Sequence, residues 1–185
     1  LPFTPYHFGV HGLLGLALRR WVDVPVLVAA NVLIDVEVLA DGYFAPGWPV
    51  HQLWHFHTLL VGGLAGAGFG AVVYYVRPLR WCSEKSMALA GLEGRATLLS
   101  MVLGGLLGAL LHVAVDSVYH YDVQIFWPYA RNPVIGWVRR LTGARYTDIQ
   151  EAVRAVCVVF WGLMVVFYGW LLAGRFRKKG FRARE

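Results

Sequence analysis

Apolar residues in this chain of 185 residues come in long runs, broken by short stretches rich in Gly, Pro, Asp and His. Thr4 before Pro5 is a helix-start signal, the hydroxyl capping free amides and the proline sitting where a missing N–H does no harm. It predicts a short first helix over about 5–18. Asp23 and Pro25 repeat the signal and open a second apolar segment to about residue 40, with Asn31 and Asp35 one turn apart. Gly42, Pro46, Gly47 and Pro49 then predict a loop. Segments over about 58–76 and 97–118 follow, each long enough to cross a bilayer. Gly62, Gly66 and Gly70 share one face of the third segment, and Gly104 and Gly108 one face of the fourth, a spacing that lets helices approach closely in lipid. Asn132 and Pro133 start a short interfacial helix that Gly143 ends. Asp148 with Glu151 resembles a capping box before the last segment, about 152–173.

Composition turns this pattern into a fold class. With 58% hydrophobic and 15% charged residues, the chain is richer in apolar and poorer in charged groups than soluble domains. The expected fold is an all-α membrane protein, a helical bundle of three full transmembrane helices and two shorter N-terminal apolar helices. Residues 1–174 form its single domain, and 175–185 a basic cytoplasmic tail, disordered past its first turn. The net charge of +6 does not point to nucleic acid, because Lys and Arg flank the apolar runs instead of forming one polar surface. They read as topology signals and lipid-headgroup contacts. Most fall on the side of Arg19, Arg77 and Arg175, which predicts a cytoplasmic C-terminus. The opening LPFTPYHFG has neither the charged start nor the small-residue cleavage site of a signal peptide, so insertion is expected to depend on the later helices. Cys82, in a basic loop, and Cys157, in an apolar run, do not suggest a disulfide.

Chemistry enters with LLHVAVDSVYH, where His112, Asp116 and His120 recur every four residues at the end of an apolar run. On a helix they stack on one face. Ionisable groups in such a segment are costly unless they are paired, bind metal or face water. A plain helix end emerging into water is the alternative. Alternating the segments across a membrane, however, gathers all seven histidines at one face: His7, His11, His51, His55, His57, His112 and His120. Asp35 and Glu37 join them there. Imidazole and carboxylate are ordinary ligands for zinc, manganese or iron, and a bound ion could supply hydroxide at neutral pH. Histidines at a membrane surface can equally bind haem or chlorin magnesium, or hold a structural network. Ser117 points about 100° away from Asp116, and no GxSxG elbow is present, so nucleophilic catalysis is less supported. Trp48, Trp54, Trp127 and Trp137 fall on the same side and read as an interfacial aromatic belt. Arg131, Arg139 and Arg140 could meet an anionic headgroup.

PFTPYHFG, NVLIDVE, HQLWHFHTL and HVAVDSVYHYDVQIFWPYARNP, within residues 2–133, resemble the membrane-bound metal-dependent hydrolases related to YdjM. The resemblance implies a multi-helix protein of a bacterial inner membrane with His and Asp ligands to a divalent metal, most readily zinc. It implies His7, Asp35, His57, His112 and Asp116 as ligands, and Glu37 or His120 as a further ligand or proton carrier. The family pattern HxxxHT is displaced, since Leu53 stands four residues before His57. Either His51 and His55 or His55 and His57 then supply the loop ligands. The expected activity is hydrolysis at one membrane face, on an ester or phosphoester of a lipid-like substrate. The alternative is a non-catalytic accessory subunit that keeps the fold and docks in a larger membrane complex. Membrane lipids are the expected partners in either case.

Overall fold

A computed structural model describes residues 6–44, 49, 51–92, 96–129 and 131–182. Among them are seven helices and no strand: α1 (His7–Leu18), α2 (Val24–Phe44), α3 (Leu59–Tyr75), α4 (Arg77–Ala90), α5 (Leu98–Tyr119), α6 (Pro133–Thr142) and α7 (Tyr146–Arg182). The Thr4–Pro5 start signal, Pro46, Gly47 and Trp48 lie outside the described residues.

Local capping explains most of the helix ends. Asp23 accepts from Val26 N at 3.0 Å and opens α2, while Ser83 of α4 donates to the same carboxylate oxygen at 2.6 Å. Thr58 accepts from Val61 N at 3.0 Å and opens α3. Thr97 and Ser100 form a reciprocal box at the start of α5. Asn132 caps α6, and Gly143, at φ 68°, ends it in the left-handed conformation that a glycine adopts without strain.

Five expectations change. Helix α1 is short, at 12 residues, but α2 runs for 21, longer than the 17 of α3. Helix α2 continues through Gly42, where a loop was expected. Among the described residues, α5 and the Tyr146–Gly174 part of α7 are each long and apolar enough to cross a membrane, which makes two spans, or three if α3 and α4 count as one bent pair. Helix α4, with Cys82 on it, stands where a basic loop was expected. Its axis turns 95° from that of α3, because Val76 between them is extended and Pro78 fits only the first turn of a new helix. Helix α7 begins two residues before Asp148, so there is no Asp148–Glu151 box; Asp148 instead accepts from Arg145 N at 3.2 Å. The α7 backbone also stays helical through Arg182, where disorder was expected past the first turn of the tail.

The glycines set the helix pairing. A Cβ on Gly66 would strike the Gly105 carbonyl, and one on Gly70 the Met101 carbonyl, so α3 lies antiparallel against α5 with backbones touching. Gly104 and Gly108 point to α2 instead, where a Cβ would meet the carbonyls of Asp23 and Leu27. These two contacts share one register, in which each α5 residue lies beside the α2 residue 81 positions earlier. One turn further along, His112 contacts Asn31 with the same separation of 81. The next rung pairs Asp116 with Asp35. A ladder of small residues thus runs directly into a ladder of donor side chains. Ile34, Ala109, Val113, Val123 and Ile125 fill the space beside it.

Candidate metal centre

Asp35 from α2, His57 from the loop before α3, and His112 and Asp116 from α5 bring one donor atom each within 4.8 Å of one another. His112 Nε2 lies 3.0 Å from Asp116 Oδ2 and 3.3 Å from Asp35 Oδ1. His57 Nε2 lies 3.4 Å from Asp116 Oδ2 and 3.7 Å from Asp35 Oδ1. The side chain of Asp35 is 17% exposed, against 5% for Asp116 and none for the two imidazoles, so the centre opens to its surroundings past Asp35.

Both imidazoles are held from behind. His57 Nδ1 donates to Glu37 Oε2 at 2.8 Å, and His112 Nδ1 donates to Asn31 Oδ1 at 2.8 Å. Fixing Nδ1–H in this way leaves Nε2 unprotonated on a neutral ring and aimed inward, as in histidines that bind metals. Nε2 of each ring is buried without a hydrogen bond. Two buried Nε2 atoms facing two carboxylates make a set that ring protons or one divalent cation would satisfy. The donors fit such an ion on chemistry and on placement.

Glu37 is fully buried and uses both oxygens: Oε1 accepts from Trp54 N at 2.5 Å, and Oε2 accepts from His57 N at 3.2 Å as well as from the ring. This arrangement ties the 51–57 loop to α2. It makes Glu37 a positioning residue where a further ligand or proton carrier was expected. Burial alone would push the His57 imidazole down, but the carboxylates of Asp116, Asp35 and Glu37 hold its pKa well above 6.5. The pocket therefore favours positive charge, as a proton or as a metal ion.

The other expected residues fall around this group. His7 Nε2 lies 3.3 Å from Asp116 Oδ1, and its buried ring packs 4.7 Å from that of His112, so His7 backs the four donors from α1. His11 bridges the carbonyls of His7 and Gly108, at 2.8 and 3.0 Å, and ties α1 to α5. His55 does not join the group. Its backbone adopts φ 57°, which turns the ring away to stack on Trp127 at 4.9 Å between centroids. Of the two loop pairings, the structure thus brings His57 to the centre and leaves His55 outside. His120 caps the end of α5 beside His51, with ring centroids 4.4 Å apart, and burial pushes its pKa down to about 4. Ser117 donates to Ala114 O at 2.7 Å and faces away from the carboxylates.

Sequence reasoning placed Asn31 beside Asp35 without giving it a role, and it missed Asp122. Asn31 sits one turn before Asp35, as His112 sits one turn before Asp116; that matched spacing was the signal for the pair. Asp122 follows His120 by two residues, in YHYD, and that proximity was its only mark. Cys82 and Cys157 are both free thiols.

The chain matches no family model, no curated protein and no solved structure, so the reading of this centre rests on its own donor geometry.

Proposed function

We propose that the chain is a membrane-embedded metal-dependent hydrolase that cleaves an ester or phosphoester of a lipid-like substrate at one membrane face. The observation that carries this reading is the pair of buried Nε2 atoms, each fixed from behind through Nδ1 and facing two carboxylates. Asp35, His57, His112 and Asp116 would hold the ion. When bound, it would lower the pKa of a coordinated water and supply hydroxide at neutral pH. Glu37 and Asn31 keep the imidazoles oriented. Asp116 can share charge with His7 through its second oxygen. Asp35, as the most exposed member, stands where a substrate would enter. Zinc suits the two-imidazole, two-carboxylate set, as do manganese and iron. The proposed setting is a bacterial inner membrane with the C-terminus in the cytoplasm.

The test is hydrolysis of phospholipid and acyl-ester panels in mixed micelles by the purified chain. Turnover that is lost with a chelator, restored by a divalent ion and absent in Asp116→Asn supports the hydrolase. Turnover insensitive to both treatments contradicts it.

The accessory-subunit reading draws on α7. Its spanning part is only 6% buried, and Val159, Val166 and Trp170 are exposed along it, a surface suited to lipid or to partner helices. Mild solubilisation from the native membrane separates the two readings, because a subunit migrates with partners and a stand-alone enzyme migrates alone.

A further inference from the structure

Beside the first centre lies a second convergence of donors with none of the same residues. His51 from the loop before α3, His120 at the end of α5 and Asp122 from the segment after it each bring one donor atom within 4.8 Å of the others. We propose that these three residues form a second divalent-cation site, adjacent to the first.

Three observations support the assignment. The donors are of the right kind, since two imidazoles and one carboxylate, completed by water, are the ligand set of an open first-row metal site. They are also out of solvent: His51 is 4% exposed and Asp122 6%, too deep for an imidazole and a carboxylate that merely face water. His51 Nδ1 and Asp122 Oδ2 are 2.7 Å apart, which orients both groups. Finally, the backbone is fixed from elsewhere. Gln52 Nε2 donates to Asp122 O at 2.8 Å, and Asn132 Nδ2 donates to His120 O at 2.8 Å. Neither contact uses a side-chain donor atom of the trio, so Asp122 and His120 are pinned through their main chain, and His51 is oriented by its bond to Asp122. Such preorganisation lowers the ordering cost of binding an ion.

The two sites meet through one ring contact. His51 lies edge-on to His57, with centroids 4.5 Å apart, so an ion at the outer site would sit one imidazole layer from the inner one. Because His120 is half-exposed while His57 and His112 are fully buried, the trio is the more accessible of the two. An outer cation would add positive charge on the side of these loops. It would favour anionic oxygens, so the substrate class it selects within the hydrolase reading is the phosphoester. That selection rests on the first centre being catalytic, whereas the second site does not.

The experiment counts zinc bound to the full chain in detergent, stripped with chelator and dialysed against Zn²⁺, by mass spectrometry of the metal. Wild type should carry two ions per chain, Asp116→Asn one, His120→Phe one and the double variant none. His120→Cys, whose thiolate also binds zinc, should keep two, which guards against a simple loss of folding in His120→Phe. One ion in wild type that survives His120→Phe and disappears in Asp116→Asn overturns the second site and leaves the first standing. One ion with the opposite sensitivity overturns the first centre and leaves the second. Two ions that both persist in His120→Phe also overturn the assignment.

Discussion

Gly108→Ala is the substitution that most exposes how the helix ladder builds the centre. A methyl group there would overlap the Leu27 carbonyl of α2, with the Ala30 side chain also in reach at 3.1 Å, so neither backbone nor neighbour can yield easily. Helices α2 and α5 must separate, and the rungs that follow, His112 on Asn31 and Asp116 beside Asp35, separate with them. The 2.8 Å bond from His112 to Asn31 and the 3.3 Å approach of His112 to Asp35 have no slack for such a shift. Overpacking of this kind costs about 1–3 kcal/mol of stability. A misplacement of roughly 1 Å at a working site costs on the order of 100-fold in function. We therefore expect metal affinity to fall about 100-fold, which at about 1.4 kcal/mol per tenfold is about 2.8 kcal/mol. Gly68→Ala is the internal control, since a methyl at Gly68 meets nothing within 4 Å. It should leave affinity unchanged and, by helix propensity, raise stability by up to about 1 kcal/mol. The assay is competition against a fluorescent zinc chelator, with thermal melting in the same detergent. A folded Gly108→Ala protein that binds zinc as wild type does would refute the link between the glycine ladder and the donors.

Other outcomes follow from the same geometry. Asn31→Leu removes the acceptor of His112 Nδ1 and should weaken metal binding about 10–100-fold with little change in fold, read by chelator competition. Glu37→Gln should weaken it over a similar range and should also loosen the 51–57 loop, seen as faster amide exchange at Trp54 and His57, about 10–100-fold in affinity being the scale for such supporting groups. Metal affinity should rise with pH until the raised pKa of His57 is passed and then level off, because below that pKa a proton must leave the ring before an ion can bind. For the metal-free protein the sign is opposite. A pKa raised on folding contributes stability that is complete below about 6.5 and is lost as pH climbs through the folded value, so the gain in melting temperature on adding zinc should grow with pH. Asp23→Ala removes the α2 cap and the partner of Ser83, and should cost about 1–2 kcal/mol of stability while leaving zinc affinity intact.

The parts of this architecture legible in the sequence are those written in helical spacing. His112, Asp116 and the glycines repeat every four residues, so the close approach of α3 and α5 could be anticipated, whereas the turning of Gly104 and Gly108 towards α2 could not. The gathering of the histidines followed from alternation alone. What was not legible depends on loop backbone and on long-range partners. The left-handed turn at His55, which decides that His57 and not His55 faces the carboxylates, has no glycine to announce it. The engagement of both Glu37 oxygens needs Trp54 and His57 brought back over α2, a contact set by the loop path and not by any local pattern. Helix α4 was hidden because its basic residues read as a polar connection, while its pairing to Asp23 through Ser83 is a tertiary contact.

The central claim is that two imidazoles and two carboxylates converge on one ion, and anomalous diffraction from crystals of the zinc-loaded protein tests it most directly. The account predicts a peak at the zinc edge bounded by His57 Nε2, His112 Nε2, Asp35 and Asp116, which disappears in Asp116→Asn crystals grown with the same zinc. Zinc-loaded crystals with no peak between those four side chains, or with His57 and His112 turned out of the pocket, would contradict it.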